Sequence, residues 1–479
     1  MSTEHTRRDF LRLSAAGLAA GATAEVLPAW DAPAASNPRA GEISVRVTAD
    51  KRRFESGPAI SWRKGSGKSS PEAIVLNPQK KFQEILGFGA AFTDASCYLF
   101  DQLSGDARDK LFRELFHPTE LGLNVCRTCI GASDYSTEMY SYDDGESDPE
   151  LKRFSIDHDR RSLLPALRQA RKVNPDLFLF SSPWSPPGWM KANGSMLGGS
   201  MRKKNFASYA QYFLKYLQAY AAEGVSIEAV TSQNEVDTDQ DGRMPACLWG
   251  QEYEIDFVKD HLGPVFKANG LSTKIWLLDH NYNLWGRVIC ELDDPDVRKY
   301  SNSVAWHGYA GAPDMMAKVH DAHPDVEMHW TEGGPDYTSP RYATDWAEWG
   351  RTFTDALRNW CRSLTGWNLA LDENGRPNIG PFPCGGLVTI YSQTKEITRS
   401  GQYWAFAHFS RSIRRGARRF ESQGQLTDIH HVACQNSDGQ NVLVITNAAA
   451  GRPVVLQAGA MTADLMVEPD SVTTLAWGA

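Results

Sequence analysis

From about residue 82 onward the chain repeats one pattern: a short apolar run ends in polar and aromatic residues, and a segment with helical spacing of apolar positions follows. The runs are EILGFGAAFTD (84–94), LNVCRTCIGASD (123–134), LFLFSSPWSPPGW (177–189), IEAVTSQNE (227–235), KIWLLDHNYN (274–283), SVAWHGYAG (303–311), VEMHWTEGG (326–334) and GWNLALDENG (366–375). Between them, RRSLLPALRQARKV (160–173) sets Leu163, Leu164, Leu167 and Ala170 on one helical face. FASYAQYFLKYLQAYAAEG (206–224) does the same with Tyr209, Phe213, Leu217 and Tyr220, and ends at a C-capping Gly224. WAEWGRTFTDALRNWCRSL (346–364) predicts a further helix. Eight alternations of strand and helix predict an α/β fold, a (β/α)8 TIM barrel over residues 82–414. A doubly wound open sheet would alternate in the same way. GFGAAF, however, lacks the third glycine of a nucleotide fingerprint and the acid about 20 residues beyond it.

The flanks follow a different period. VRVTAD (45–50) and AIVLN (73–77) near one end, and NVLVITNAA, PVVLQAG and DSVTTLAWG near the other, are short alternating strands with polar turns. Residues 42–81 and 415–479 are therefore expected to form one attached β-sandwich built from both chain ends. RKGSGKSSP (63–71) reads as a hairpin loop within it.

Residues 1–30 read as a twin-arginine signal peptide and linker rather than as fold. The stretch TRRDFL (6–11) precedes LSAAGLAAGATA (13–24), which is too short and too rich in Ala and Gly to span a bilayer. The expected location is periplasmic or secreted. Nothing downstream resembles an integral membrane segment. A formal net charge of -8, with RSIRRGARR (411–419) as the one basic run, argues against a nucleic-acid partner. Export of a folded protein removes the need for disulfides, so the eight Cys are expected as free thiols. Cys126 and Cys129 form a C-x-x-C with no second pair or nearby His, and on a strand they point to opposite faces; they are packing residues, and neither metal nor cofactor is expected.

A barrel gathers its chemistry at the carboxyl ends of its strands. Asp94, Asp134, Trp184, Asn234, Glu235, His307, Tyr309, Glu332 and Trp367 stand at the ends of the apolar runs. The set holds no Ser-His-Asp triad, no metal-ligand cluster and no phosphate loop. Glu235 closes the fourth run and Glu332 the seventh. Two carboxylates among aromatic walls suit glycoside hydrolysis, in which one acid protonates the leaving oxygen and one carboxylate attacks the anomeric carbon. Fifteen Trp fit that reading, because a sugar ring offers an apolar face edged with hydroxyls.

The motifs GFGAAFTDAS (87–96), Arg127 with Asp134, SPWSPPGWMKANG (182–194), QNE (233–235), WHGY (306–309), TEGG (331–334) and GWNLALDENG resemble those of glycoside hydrolase family 30, the family of glucosylceramidases and related β-glycosidases. The resemblance implies a β-sandwich packed on the barrel and a retaining mechanism. It implies Glu235 as acid/base, Glu332 as nucleophile and Asn234 on the sugar 2-hydroxyl. Asp134, Trp184 and Trp367 would grip the terminal sugar, and Tyr309, on the same strand face as His307 at i, i+2, would be the phenol that bonds the nucleophile. Arg127 would lie beneath the catalytic pair. The partner is then a β-linked glycoside or glycan: a β-glucoside or glucosylceramide or, within the same family, a β-1,6-glucan cut internally. A non-catalytic carbohydrate-binding barrel would have lost one catalytic Glu, and both are present. Val236 departs from the family, which often has Pro after the acid/base, so 236–250 is expected to differ as a loop.

Overall fold

The computed structural model describes residues 41–65 and 73–478. The export pattern at 6–24 and residues 66–71 of the expected hairpin loop lie outside these. Eight parallel strands close into a barrel: β1 (Gly87–Phe92), β2 (Val125–Cys129), β3 (Phe178–Ser182), β4 (Ala229–Thr231), β5 (Lys274–Asn281), β6 (Ser303–His307), β7 (Glu327–Glu332) and β8 (Cys361–Gly366). Each strand pairs with the next, and β8 returns to pair with β1. The period-3.6 segments form Leu163–Val173 and Phe206–Ala222, the latter followed by Gly224 at φ +75.

The eighth strand departs from the sequence expectation. The helix expected over 346–364 stops at Arg358, and β8 occupies Cys361–Gly366, just before the run expected to be strand. The turn between them is made by Trp360 at φ +75, a left-handed conformation that glycine normally supplies. Packing holds it there: the indole stacks on His320 at 3.5 Å and meets the edge of Phe82 at 5.7 Å. Without a glycine to mark the helix end, the apolar spacing of the helix runs unbroken into the strand. Beyond β8, Ala370–Leu371, Val388–Ile390 and Ile397–Arg399 form a small separate sheet.

Strand alternation sorts the barrel interior into layers. Val125, Phe180, Ala229, Trp276 and Ala305 fill its lower end, where Trp276 also stacks on His329 at 4.0 Å. Along β2, Val125 packs in that layer, Cys126 faces the surrounding helices, Arg127 points inward, and Cys129 joins a cluster with Trp184 and Trp367. The two cysteines thus face opposite sides. All eight cysteines are free thiols, and only Cys290 is exposed.

The flanking strands form the β-sandwich. Glu42–Ala49 pairs antiparallel with Ser471–Trp477, and Ala73–Glu84 lies between Arg418–Gln423 and Arg452–Ala458. The two flanking segments are therefore woven together. The alternating Ile43, Val45, Val47, Leu443, Ile445 and Leu475 make its core. Helices Trp346–Arg358 and Gly401–Ser410 pack against it, and His408 bridges the seam through Thr48 and Thr474. No helix among the described residues is long and apolar enough to cross a membrane.

Candidate active site

Two irregularities aim side chains into the barrel mouth. On β5 the register against β6 shifts between Leu278 and His280, and Leu278 and Asp279 sit at φ +73 and +50. Leu277 and Leu278 consequently both pack outward, and Asp279 turns in. On β7 the register shifts opposite Trp306 and His307, so Thr331 and Glu332 both reach the interior although they are neighbours in sequence. Strict alternation would send one of them out.

Arg127, fully buried, organises the floor of the mouth. Its Nη1 donates to Glu332 Oε2 at 2.5 Å, and its Nη2 to Asn234 Oδ1 at 2.8 Å and Asp279 Oδ2 at 2.6 Å. Its Nε donates to the Ser182 hydroxyl at 3.1 Å. Asp279 is also met by the hydroxyls of Ser182 (2.6 Å), Thr231 (2.7 Å) and Thr331 (2.8 Å) and by His307 Nε2 (3.1 Å). Burial pushes the Asp279 carboxyl upward, but Arg127 and then His307 outweigh it and hold it well below the usual carboxylate range.

Glu332 is gripped at both oxygens, since the Tyr309 hydroxyl donates to Oε1 at 3.0 Å. Tyr309 lies beyond the end of β6, not on its face as the i, i+2 spacing from His307 suggested. Its backbone N–H and that of Ala310 donate to Asn281 Oδ1. Glu235 also lies beyond its strand. β4 ends at Thr231, the Glu235 N–H donates to the Asp279 carbonyl at 3.0 Å, and Glu235 takes φ +52. A non-glycine residue in that region at a functional site is held by its surroundings. Its Oε2 accepts from the Gln240 amide, and its Oε1 lies 3.6 Å from His307 Nδ1 and 3.9 Å from His280 Nδ1. His280 Nε2 in turn meets Asp237.

His307 reaches three acidic groups of the mouth: Glu332 Oε2 at 3.8 Å, Asp279 at 3.1 Å and Glu235 at 3.6 Å. Burial disfavours its charged form. Glu332 first, then Asp279 and Glu235, reverse that effect and push its pKa up to about 9.

The aromatic wall is made by Trp184 and Trp367, stacked at 5.0 Å and 17°, with the Arg127 guanidinium 4.6 Å from Trp184 and 5.6 Å from Trp367. Tyr135 meets Trp367 edge-on, and its neighbour Asp134 is buried under the 376–382 loop, whose Ile379 N–H donates to the Asp134 carbonyl. A Cβ at Gly380 would come within 2.5 Å of Asp134 Cβ, so only glycine lets this loop close. Asp94 stands apart from the mouth network and accepts from Thr137 and His158.

The loops after β3 and β4 are stitched together on the other side. Leu197 bridges Pro245, Ser200 bridges Leu248, and the buried Lys191 donates to Ser185 Oγ, the Met196 carbonyl and the Ala246 carbonyl. Burial lowers the Lys191 pKa to about 8. Gln240 and Asp241 take φ +52 and +54 within this rim. Asp279, His280, Gln240 and Lys191 were not singled out from sequence. The ending Asp279-His280 of KIWLLDHNYN follows the same apolar-to-polar grammar as QNE and was open to the same reading.

Comparison with known proteins gives a consistent result. Residues 85–413 match the glycosyl hydrolase family 30 TIM-barrel domain, and residues 416–475 match the glycosyl hydrolase family 30 beta sandwich domain. The chain is 34% identical over 403 residues to an endo-1,6-beta-D-glucanase of Neurospora crassa, covering 80% of this chain and 82% of that protein. It is 31% identical over 397 residues to putative glucosylceramidase 1 of Caenorhabditis elegans, covering 78% and 76%. Among solved structures, the endo-beta1,6-glucanase BT3312 superposes with a TM-score of 0.82 at 29% identity, covering 92% of this chain and 100% of that one.

Proposed function

The chain belongs to glycosyl hydrolase family 30, and from that premise we propose that it is a retaining β-glucoside hydrolase with Glu235 as acid/base and Glu332 as nucleophile. One observation carries the assignment of roles: Glu332 is fixed at both oxygens by Arg127 and Tyr309, whereas Glu235 meets a loop side chain, Gln240, at one of its own. A nucleophile must be held in line with the anomeric carbon. An acid/base must trade its proton with a leaving group that changes from substrate to substrate.

In the first step Glu332 attacks the anomeric carbon while Glu235 gives its proton to the departing oxygen. The attack consumes the negative charge of Glu332. Glu235, now a carboxylate, takes a proton from water, which displaces Glu332 from the glycosyl-enzyme. Asn234, oriented by Arg127, suits the 2-hydroxyl, where hydrogen bonds strengthen as positive charge develops on the ring. Asp134, Trp184 and Trp367 suit the remaining hydroxyls and the apolar face of the sugar.

The 376–382 loop, closed on Asp134, supports a pocket for a terminal glucose and hence exo action on a β-glucoside such as glucosylceramide. Endo action on β-1,6-glucan is the second reading, supported by the Neurospora relative and the BT3312 structure. Product analysis separates them: glucose alone from the first cuts supports the first reading, and oligosaccharides from β-1,6-glucan support the second. Proton NMR of the first-formed sugar tests the mechanism, because initial release of the α-anomer would overturn retention and the role of Glu332. We also propose export through the Arg7-Arg8 pair to the periplasm or medium. Normal export of an Arg7→Lys, Arg8→Lys variant would refute it.

A further inference from the structure

We propose that Glu235, His280 and His307 form a binding site for a first-row transition dication, zinc in particular, and that its occupation switches the enzyme off. Their ligand atoms all lie within 4.8 Å of one another. Nδ1 of both rings points at Glu235 Oε1, at 3.9 Å from His280 and 3.6 Å from His307. Both Nδ1 atoms are buried, and neither has a hydrogen-bond partner among the described residues. The rings belong to side chains that are 5% and 0% exposed and stand nearly perpendicular, at 85°.

The outer contacts prepare the rings for a metal. His307 Nε2 faces Asp279, and His280 Nε2 faces Asp237. Once the ring is neutral, a carboxylate on one ring nitrogen keeps the proton there and leaves the lone pair on the other, which is the arrangement found behind most metal-bound histidines. Two imidazoles and one carboxylate are a zinc donor set that leaves a fourth position for water. Zinc-to-ligand bonds of about 2.0–2.1 Å in a tetrahedron separate the donors by about 3.3 Å. Small inward rotations of the rings from the observed separations close the site. Charge favours it too. Glu235, Glu332, Asp279 and Asp237 all lie in contact with these histidines, and Arg127 is the one arginine or lysine bonded into the cluster among the described residues. A dication displaces protons from the rings and offsets the surplus negative charge.

Binding rests on this geometry alone. Inhibition rests in addition on the proposed role of Glu235, because a carboxylate committed to zinc cannot carry the proton that the leaving oxygen needs. The test uses metal-free full-length enzyme carrying Cys290→Ser, which removes the exposed thiol as a competing ligand. Cobalt(II) should give the visible absorption of a four-coordinate site, zinc should displace it with one equivalent per chain, and saturating zinc should cut turnover at least about tenfold, reversibly by chelator. His280→Phe should abolish the cobalt band, and Asp237→Asn should weaken zinc binding about 10–100-fold, as loss of an outer partner does. The second variant keeps the test open should the first fail to fold. Absence of the band, or an affinity indifferent to both substitutions, would overturn the site. Zinc bound through His280 with turnover undiminished would leave the site standing and overturn both the inhibition and the acid role of Glu235.

Discussion

At the barrel mouth and at the seam between barrel and sandwich, the fold buries two histidines completely, His307 and His408. Their pKa values move in opposite directions. His307 is pushed up to about 9 by Glu332, Asp279 and Glu235 in spite of its burial. His408 is pushed down to about 3, by burial and then by Arg411. The partners account for the difference. Thr474 donates its own proton to the His408 carbonyl and accepts from Nδ1, whereas Thr48 accepts from the Phe54 N–H and donates to Nε2. That pattern fits one neutral tautomer and supplies no negative charge to offset the burial of an imidazolium. Burial thus sets a default of neutrality, which suits a seam that only has to hold. A mouth that must manage carboxylate charge replaces the hydroxyls with acids and reverses the default.

The largest expected effect separates activity from stability. Glu332→Ala should lower kcat/KM on β-glucosides by about 10⁴-fold or more, the scale seen when a nucleophile is removed. Glu235→Ala should lose natural substrates while keeping a glycosylation burst on nitrophenyl glycosides, whose leaving group needs no proton. His408→Gln should leave turnover per folded molecule intact and act on unfolding instead. Steady-state kinetics beside urea unfolding of each variant reads this. Comparable loss of turnover at the seam would erase the distinction between the two regions.

The seam should be acid-sensitive. His408 has a folded pKa below that of the unfolded chain, so the unfolded state binds a proton that the folded state refuses. Its contribution to stability is present above about pH 6.5 and is lost as pH falls toward 3, by up to about 5 kcal/mol. His329 and His431, both lowered to about 4, add slope of the same sign. Urea unfolding at pH 7 and pH 4 should therefore show a smaller difference in His408→Gln than in the parent.

His307 should act in the other direction and more weakly. Its folded pKa lies above the unfolded value. The stability it contributes is fully present below about pH 6.5 and is lost as pH rises through 9, by about 3 kcal/mol at most. Unfolding of metal-free protein between pH 7 and 10 measures it, and a His307→Asn variant that kept the same alkaline slope would refute it.

The two regions also differ in how far the sequence exposes them. Seven barrel strands could be read from apolar runs with polar endings, and the sandwich strands from period-two alternation, because both patterns record burial directly. The eighth strand was masked because Trp360 makes a left-handed turn with no glycine to announce it. Glu235 and Glu332 stood out as acids ending apolar runs. Asp279 did not. Counting by twos from the inward Trp276 sends it outward, and the Leu278–Asp279 irregularity that turns it in leaves no mark in composition. The contact of Lys191 with Ala246 depends on two loops meeting across the rim, which local pattern does not encode, and Gln240 reaches Glu235 within one loop through left-handed turns at Gln240 and Asp241 that no glycine announces. The partners of His408 come from opposite ends of the chain and were equally out of reach.

The finest test asks whether carboxylates really reverse the effect of burial. Glu332 is the strongest of the influences that raise His307, and Glu332→Gln removes its charge while keeping its shape and its place beside Arg127 and Tyr309. The His307 ring should remain buried and hydrogen-bonded to Asp279, so its desolvation is unchanged and only one charge is lost. At a separation of 3.8 Å that charge should be felt directly, and the His307 pKa should fall by about one unit or more, equivalent to about 1.4 kcal/mol. Asp279 and Glu235 still face the ring, so it should stay well above the value for His408. Proton–nitrogen NMR of the imidazole side chains in metal-free protein follows both rings in one titration. A His307 that moves while His408 stays fixed supports a local charge effect. An unmoved His307 would mean that its protonation is set by Asp279 and Glu235, and equal movement of both rings would mean that the substitution loosened the whole fold.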